Sequence, residues 1–195
     1  MDSGNIGFVL LCAAFVFVMT PGLAMFYGGL VRKKNVVNTM MTSIFIIGIG
    51  IVMWVLFGYS LSFAPSGNAF IGDFRWLGLE GVSLTEGYTD DASIPNMVFS
   101  AFQMMFAVIT PALITGAVAG RMKFKSIFVF TIFWSLIVYY PLAHMVWNGG
   151  LLSADGAISQ AIGAAAHDFA GGTVVHINAA VAALVIVLII GMTVG

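Results

Sequence analysis

Asp168 and His176 are the residues of this chain most able to move or hold a proton where lipid would oppose it. They sit in the run Asp168-Phe-Ala-Gly-Gly-Thr-Val-Val-His176-Ile-Asn-Ala-Ala180, which opens an apolar stretch without a further charge to Gly195. An ionisable side chain in a bilayer is expensive to hold, so its default reading is functional. Asp168 precedes Gly171 and Gly172. A carboxylate there can accept hydrogen bonds from the first unpaired N–H groups of a helix, or attract a cation to a pore mouth. Both readings stand. His176 shares a helical stripe with the small residues Gly172, Thr173, Ala179, Ala180 and Ala183. Small neighbours let a second helix approach or leave room for a lumen. A pore-lining or proton-relaying imidazole is the expected role, with a histidine bonded across a helix interface as the alternative.

A second group is aromatic. Phe102 and Phe106 are four residues apart and share a helical face, with Gln103 between them. Trp147 closes the run His144-Met-Val-Trp147-Asn-Gly-Gly150. Two phenyl rings facing an indole could box a small cation. Spacing alone favours ordinary packing, since the chain holds 17 Phe and Trp favours membrane interfaces. Pro21-Gly-Leu-Ala-Met-Phe26-Tyr27-Gly28-Gly29 breaks an apolar run, and Phe26 could contact a lumen or simply pack. His144 reads as an interfacial or packing residue, His167 as solvated, and Cys12 as a packing residue. No nucleophile elbow, P-loop or metal-ligand motif is present, so no enzymatic chemistry and no cofactor are expected.

The elements that must position these residues are membrane helices. The chain is 61% hydrophobic and 8% charged, with a mean hydropathy of +1.06. That composition marks an integral membrane protein. A net charge of −1 offers nothing to nucleic acid. The start Met1-Asp-Ser-Gly-Asn5 lacks the basic region of a signal peptide. Uncharged runs, each longer than the roughly 20 residues that cross a bilayer, place five spans near residues 5–31, 36–63, 96–119, 126–147 and 169–193. Six of the seven basic residues form two clusters, Arg32/Lys33/Lys34 and Arg121/Lys123/Lys125. The positive-inside rule sets both in the cytoplasm, with the N-terminus outside and the C-terminus inside. All eight acidic residues then fall on the outer side. Segment 64–95 is long enough to hold structure, and the Gly/Ala/Ser-rich segment 148–167 is expected to be flexible or partly helical.

Pro21-Gly-Leu-Ala-Met-Phe-Tyr-Gly-Gly-Leu-Val-Arg-Lys-Lys-Asn35, Trp54-Val-Leu-Phe-Gly-Tyr-Ser60, Phe102-Gln-Met-Met-Phe106, Ala143-His-Met-Val-Trp147 and Asp168 to Asn178 together resemble the ammonium transporter family, most closely its microbial branch. The resemblance covers nearly the whole chain in order. It implies an all-α integral membrane fold, these five helices being the first inverted repeat of an eleven-helix protomer. It further implies a homotrimer in the plasma membrane, a pore through each protomer, and a PII-type regulatory protein on the cytoplasmic face. By the same resemblance Phe102, Phe106 and Trp147 belong to an outer cation site supported by Asp168, and Phe106 is half of a phenylalanine gate. His176 is the first of two pore histidines, Phe26 lies along the lumen, and Tyr139 stands near the pore wall.

The implied reaction is cation recruitment, deprotonation and passage of neutral ammonia. An ammonium sensor coupled to a signalling domain is the alternative on the same scaffold. The second pore histidine, the outer-site serine and the second gate phenylalanine of the family have no counterpart in these 195 residues. Half a pore would not conduct in the family's manner, and the ending Ile-Gly-Met-Thr-Val-Gly195, without basic residues, is what a truncation would leave. The Trp147–Asp168 connection is longer than the family's compact form.

Overall fold

Asp2 starts the first helix. Its side chain accepts the Asn5 N–H at 2.7 Å and satisfies one of the donors that a helix N-terminus leaves open. The computed structural model describes residues 1–65, 67–89 and 92–191, and among them it is helical with no strand. Five helices are long and apolar enough to cross a membrane. They are α1 (Ser3–Leu30), α2 (Lys33–Phe63), α3 (Asn96–Val118), α4 (Phe124–Trp147) and, beyond a short α5 (Ala157–Ile162), α6 (Gly172–Ile190). The five-helix fold class is the one observed. Helix α2 begins earlier than residue 36 because Lys33–Asn35 wind into a tight 3₁₀ turn that leads straight into it. Residues 192–195, where the last span was expected to end, lie outside the described residues.

Helix α3 is the centre of the bundle. Half of its most apolar stretch is buried, against 6% of that of α1, which faces outward. Close approach depends on small residues. A Cβ built on Gly116 of α3 would fall 2.6 Å from the Tyr27 ring of α1, so any larger residue would push the two helices apart. The Tyr27 hydroxyl donates to the Leu113 carbonyl at 2.9 Å across the same contact. Helix α2 is tied to α3 through Ser43 Oγ and Thr115 Oγ1 at 3.0 Å, and through Trp54 Nε1, which donates to the Ser100 carbonyl at 3.2 Å. Buried hydroxyl and indole donors need such partners where no water reaches.

Three stretches widen from α-helical to π-helical turns: Trp54–Gly58 in α2, Ser135–Tyr139 in α4 and Gly172–Ile177 at the start of α6. Such turns insert one extra residue and re-aim the side chains that follow.

The connections sort by end. Arg32, Lys33, Lys34, Arg121, Lys123 and Lys125 gather at the end bearing the short α1–α2 and α3–α4 links. The opposite end bears the long segments 64–95 and 148–171. Segment 64–95 is folded over the end of α2. Trp76 stacks on Tyr59 with centroids 5.3 Å apart and planes 13° from parallel. The Ser60 hydroxyl donates to the Asp73 carbonyl at 2.8 Å and accepts the Trp76 N–H at 3.0 Å. Segment 148–167 is partly helical, through α5.

Candidate functional site

The start of α6 is shaped by two residues. Gly171 lies in the left-handed region at φ 75°, a conformation that favours glycine, and turns the chain into the first π-helical turn. Asp168 then reaches over that turn: its Oδ2 accepts the N–H groups of Thr173 at 3.2 Å and Val174 at 2.9 Å. The carboxylate is therefore a cap at the positive end of the helix. Its other oxygen, Oδ1, is buried and takes no hydrogen bond among the described residues. One oxygen holds the helix, and the other takes no part in the cap.

His176 leaves this turn on the exposed side of α6, with Nδ1 3.0 Å from the Gly171 carbonyl. A carbonyl oxygen only accepts, so the proton sits on Nδ1 and the Nε2 lone pair is the ring's remaining acceptor. The stripe of small residues expected beside it is only partly formed. Ala179 turns into the core at 3% exposure, while Ala180 stays on the His176 side. Neighbouring residues of an α-helix point about 100° apart, so one alanine turns inward and the other stays outside.

A cavity of about 360 Å³ opens beside His176, lined also by Phe106, Phe26, Leu23, Ala170 and Val175. It is apolar apart from the imidazole. Phe106 belongs to this wall and to an aromatic group above it: its ring meets Phe102 edge-on at 5.0 Å and Trp147 at 6.5 Å and 69°. Trp147 is the last residue of α4, stacked on Phe63 at 6.4 Å and 15°. Phe102 reaches Trp147 only through Phe106 among the ring contacts of the described residues.

Tyr139 does not line this cavity. It is buried in the core against Trp134 and Tyr140. The Gln103 side-chain oxygen is buried without a hydrogen-bond partner among the described residues. A larger cavity of about 440 Å³ lies at the basic end, between Tyr27, Leu30, Gly116 and Arg121, and holds none of the expected site residues.

Sequence reasoning missed a polar network beside Trp147. His144 is buried, as a packing residue would be, but its ring and Asn148 are hydrogen-bonded to each other and to the backbone of residues 62–68. Tyr88 completes it from the 64–95 segment by donating to Asn148 Oδ1. Burial pushes the Tyr88 phenol up to about 12. The pair His144/Asn148 at helical spacing was a readable signal, whereas nothing in the sequence marked Tyr88. His167 is exposed and Cys12 half-buried.

Known proteins carry the same arrangement of sequence and helices. The Ammonium Transporter Family model matches residues 7–195. The ammonium transporter of Bacillus subtilis is 48% identical over 191 residues, covering 98% of this chain and 45% of the relative. That of Aquifex aeolicus is 44% identical, covering 98% and 43%. The crystal structure of Candida albicans Mep2 superposes with a TM-score of 0.83 at 30% identity, over 98% of this chain and 40% of that one. The chain thus spans less than half the length of the curated relatives it matches. With five apolar helices in the order and arrangement of those relatives, this is a multi-pass membrane protein, and the chain belongs to the Ammonium Transporter Family.

Proposed function

We propose that this chain forms the first half of an ammonium-conducting pore in the plasma membrane. Its outer mouth lies at Trp147, Phe106 and Phe102, and its lumen passes Phe26 and His176. The observation that carries the reading is the double position of Phe106. One face of its environment is the Trp147 indole, and the other is the apolar cavity that His176 lines.

The physics follows from charge. Stripping water from a unit cation costs several kcal/mol or more, so ammonium cannot cross an apolar lumen intact. Aromatic faces return about 1–2 kcal/mol of that by cation–π attraction once water is excluded. Asp168 adds a negative charge with one oxygen unused by its own helix. A proton passed at the mouth to the Asp168 carboxylate or the His176 ring leaves neutral ammonia, which an apolar lumen admits. His176 Nε2 can then accept a hydrogen bond from the passing molecule. The basic clusters set this mouth on the outer side by the positive-inside rule. Assembly as a trimer and a PII-type partner at the basic end complete the proposal.

The test is ammonium-dependent current in proteoliposomes holding the full-length natural protein. Saturable currents with ammonium are expected, and His176→Ala should lower them about a hundredfold, the lower end of what a positioned proton acceptor contributes. A His176→Ala protein with unchanged current and unchanged discrimination against potassium would remove His176 from the pathway.

A further inference from the structure

The outer end of α4 carries a histidine that the proposed pathway does not use. His144 is 4% exposed, with Nε2 2.8 Å from the Asn68 carbonyl oxygen and Nδ1 3.1 Å from the Asn148 side-chain nitrogen. The carbonyl can only accept, so Nε2 carries the proton and Nδ1 accepts. Asn148 gives the same answer. Its Nδ2 also donates to the Ala64 carbonyl at 3.1 Å, and its Oδ1 takes the Tyr88 hydroxyl. Turning the amide over would set Oδ1 against the Ala64 oxygen, so this arrangement is the one that satisfies the Asn148 amide and both ring nitrogens. The Ser62 carbonyl, 3.2 Å from Nδ1, receives no proton from the ring in this state.

What this network encloses is Trp147. His144 precedes it by one helical turn, and Asn148 follows it directly as the helix ends. The indole stacks on Phe63, and Phe63 is itself held edge-on by Phe99 at 5.2 Å and Tyr88 at 5.9 Å. Both ends of the network therefore bear on the indole, one through the last turn of α4 and the other through the ring behind it.

We infer that His144 is a positioning residue for Trp147, holding the last turn of α4 to the backbone of residues 62–68 so that the indole keeps its angle to Phe106. The inference rests on the transport reading above. His144 does not touch the cation; it sets the geometry of a ring that does. A misplaced indole weakens cation capture without altering the lumen, so the half-saturation concentration should move while the maximal rate stays.

The experiment uses the full-length natural protein in proteoliposomes, with ammonium current measured over a concentration series and scaled to protein amount. His144→Phe fills the space without a hydrogen bond, whereas His144→Gln returns an N–H donor toward Asn68. His144→Phe should raise the half-saturation concentration about tenfold, with the maximal rate within about twofold, the size of effect expected when buried partners lose a hydrogen bond. His144→Gln should bring it back to within about threefold of the parent. An unchanged half-saturation in His144→Phe, a fall in maximal rate alone, or a glutamine no better than phenylalanine overturns the inference. Should His144→Phe fail to accumulate, Tyr88→Phe cuts the network at its far end while keeping the ring against Phe63. A rise of about threefold is expected there, and no rise overturns it.

A parent protein that carries no ammonium would defeat the transport reading instead, and an activity-free readout then judges His144. Arg75 is the single basic residue of segment 64–95, and Trp76 beside it is stacked on Tyr59. Loosening residues 62–68 should speed tryptic cleavage after Arg75 about tenfold in His144→Phe, following the population of the opened segment. An unchanged cleavage rate overturns the inference.

Discussion

His144 and His176 are the same side chain put to opposite uses. The His144 ring is buried, with each nitrogen facing a partner, and it joins the end of α4 to the backbone of a separate segment. The His176 ring lies on a cavity wall, is bonded once to its own helix, and retains one lone pair. Both are ionisable groups at membrane depth or close to it, so type and hydropathy do not separate them. The difference lies in which atoms the fold has already used. A ring with every atom engaged positions something else, and a ring with an unused lone pair beside an apolar cavity can act on what enters. Asp168 repeats the lesson inside one carboxylate, with Oδ2 engaged by two N–H groups and Oδ1 unengaged.

The hardest blow to the His176 side of this comparison comes through Asp168. Asp168→Ala removes both acceptor contacts at the start of α6 and the negative charge at the mouth. The charge alone, a few ångströms from the cation at an effective dielectric of about 20, is worth on the order of 3 kcal/mol, so ammonium current should fall roughly a hundredfold. Asp168→Asn keeps an oxygen for Val174 and drops the charge. If it restores helix stability but not current, the charge is what the mouth needs. If it restores both, Asp168 is a cap and nothing more.

Trp147 stands where the two histidine environments meet, stacked on Phe63 on one side and edge-on to Phe106 on the other. Trp147→Leu keeps an apolar side chain and removes the ring. A desolvated cation–π contact of about 1–2 kcal/mol corresponds to a five- to thirtyfold rise in half-saturation concentration. Methylammonium competition against ammonium current measures it. An unchanged half-saturation would make the aromatic group a packing cluster, and His144 would then have nothing to position.

The five-helix bundle was legible because charge punctuates the chain so cleanly that the apolar runs define themselves. The aromatic group was legible in part: the four-residue spacing of Phe102 and Phe106 placed both rings on one face, and the contact with Trp147 follows from helices that pack. The π-helical turns were not legible. Periodicity shows only where polar and apolar residues alternate, and Trp54–Gly58 and Ser135–Tyr139 sit in runs too uniformly apolar to register an inserted residue. Ala179, expected beside His176, lies in the core. Tyr88 was illegible for a different cause. Its hydrogen-bond partner Asn148 is distant in sequence, and a tyrosine in an acidic loop carries no mark of what it will meet.

Tyr88 also gives the mildest test of the His144 side, through pH. Burial raises its phenol from the usual 10.0 to about 12, which means the folded protein holds the protonated form that donates to Asn148. A group whose folded-state pKa is raised contributes in full below its unfolded value and loses that contribution as pH climbs through the folded one. The share of stability owed to Tyr88 is therefore whole up to about pH 10 and fades toward pH 12. Tyr88→Phe should cost about 1 kcal/mol at pH 8, since it leaves Asn148 Oδ1 without its donor. Above pH 10 that cost should shrink by about 1.4 kcal/mol per pH unit, vanish at about pH 11, and reverse in sign toward pH 12. Thermal unfolding in detergent at pH 8, 10 and 11.5 is sufficient to measure the gap. A gap that stays constant across that range would mean the phenol is not shielded by the folded loop, and the Tyr88 end of the network would no longer bear on Trp147.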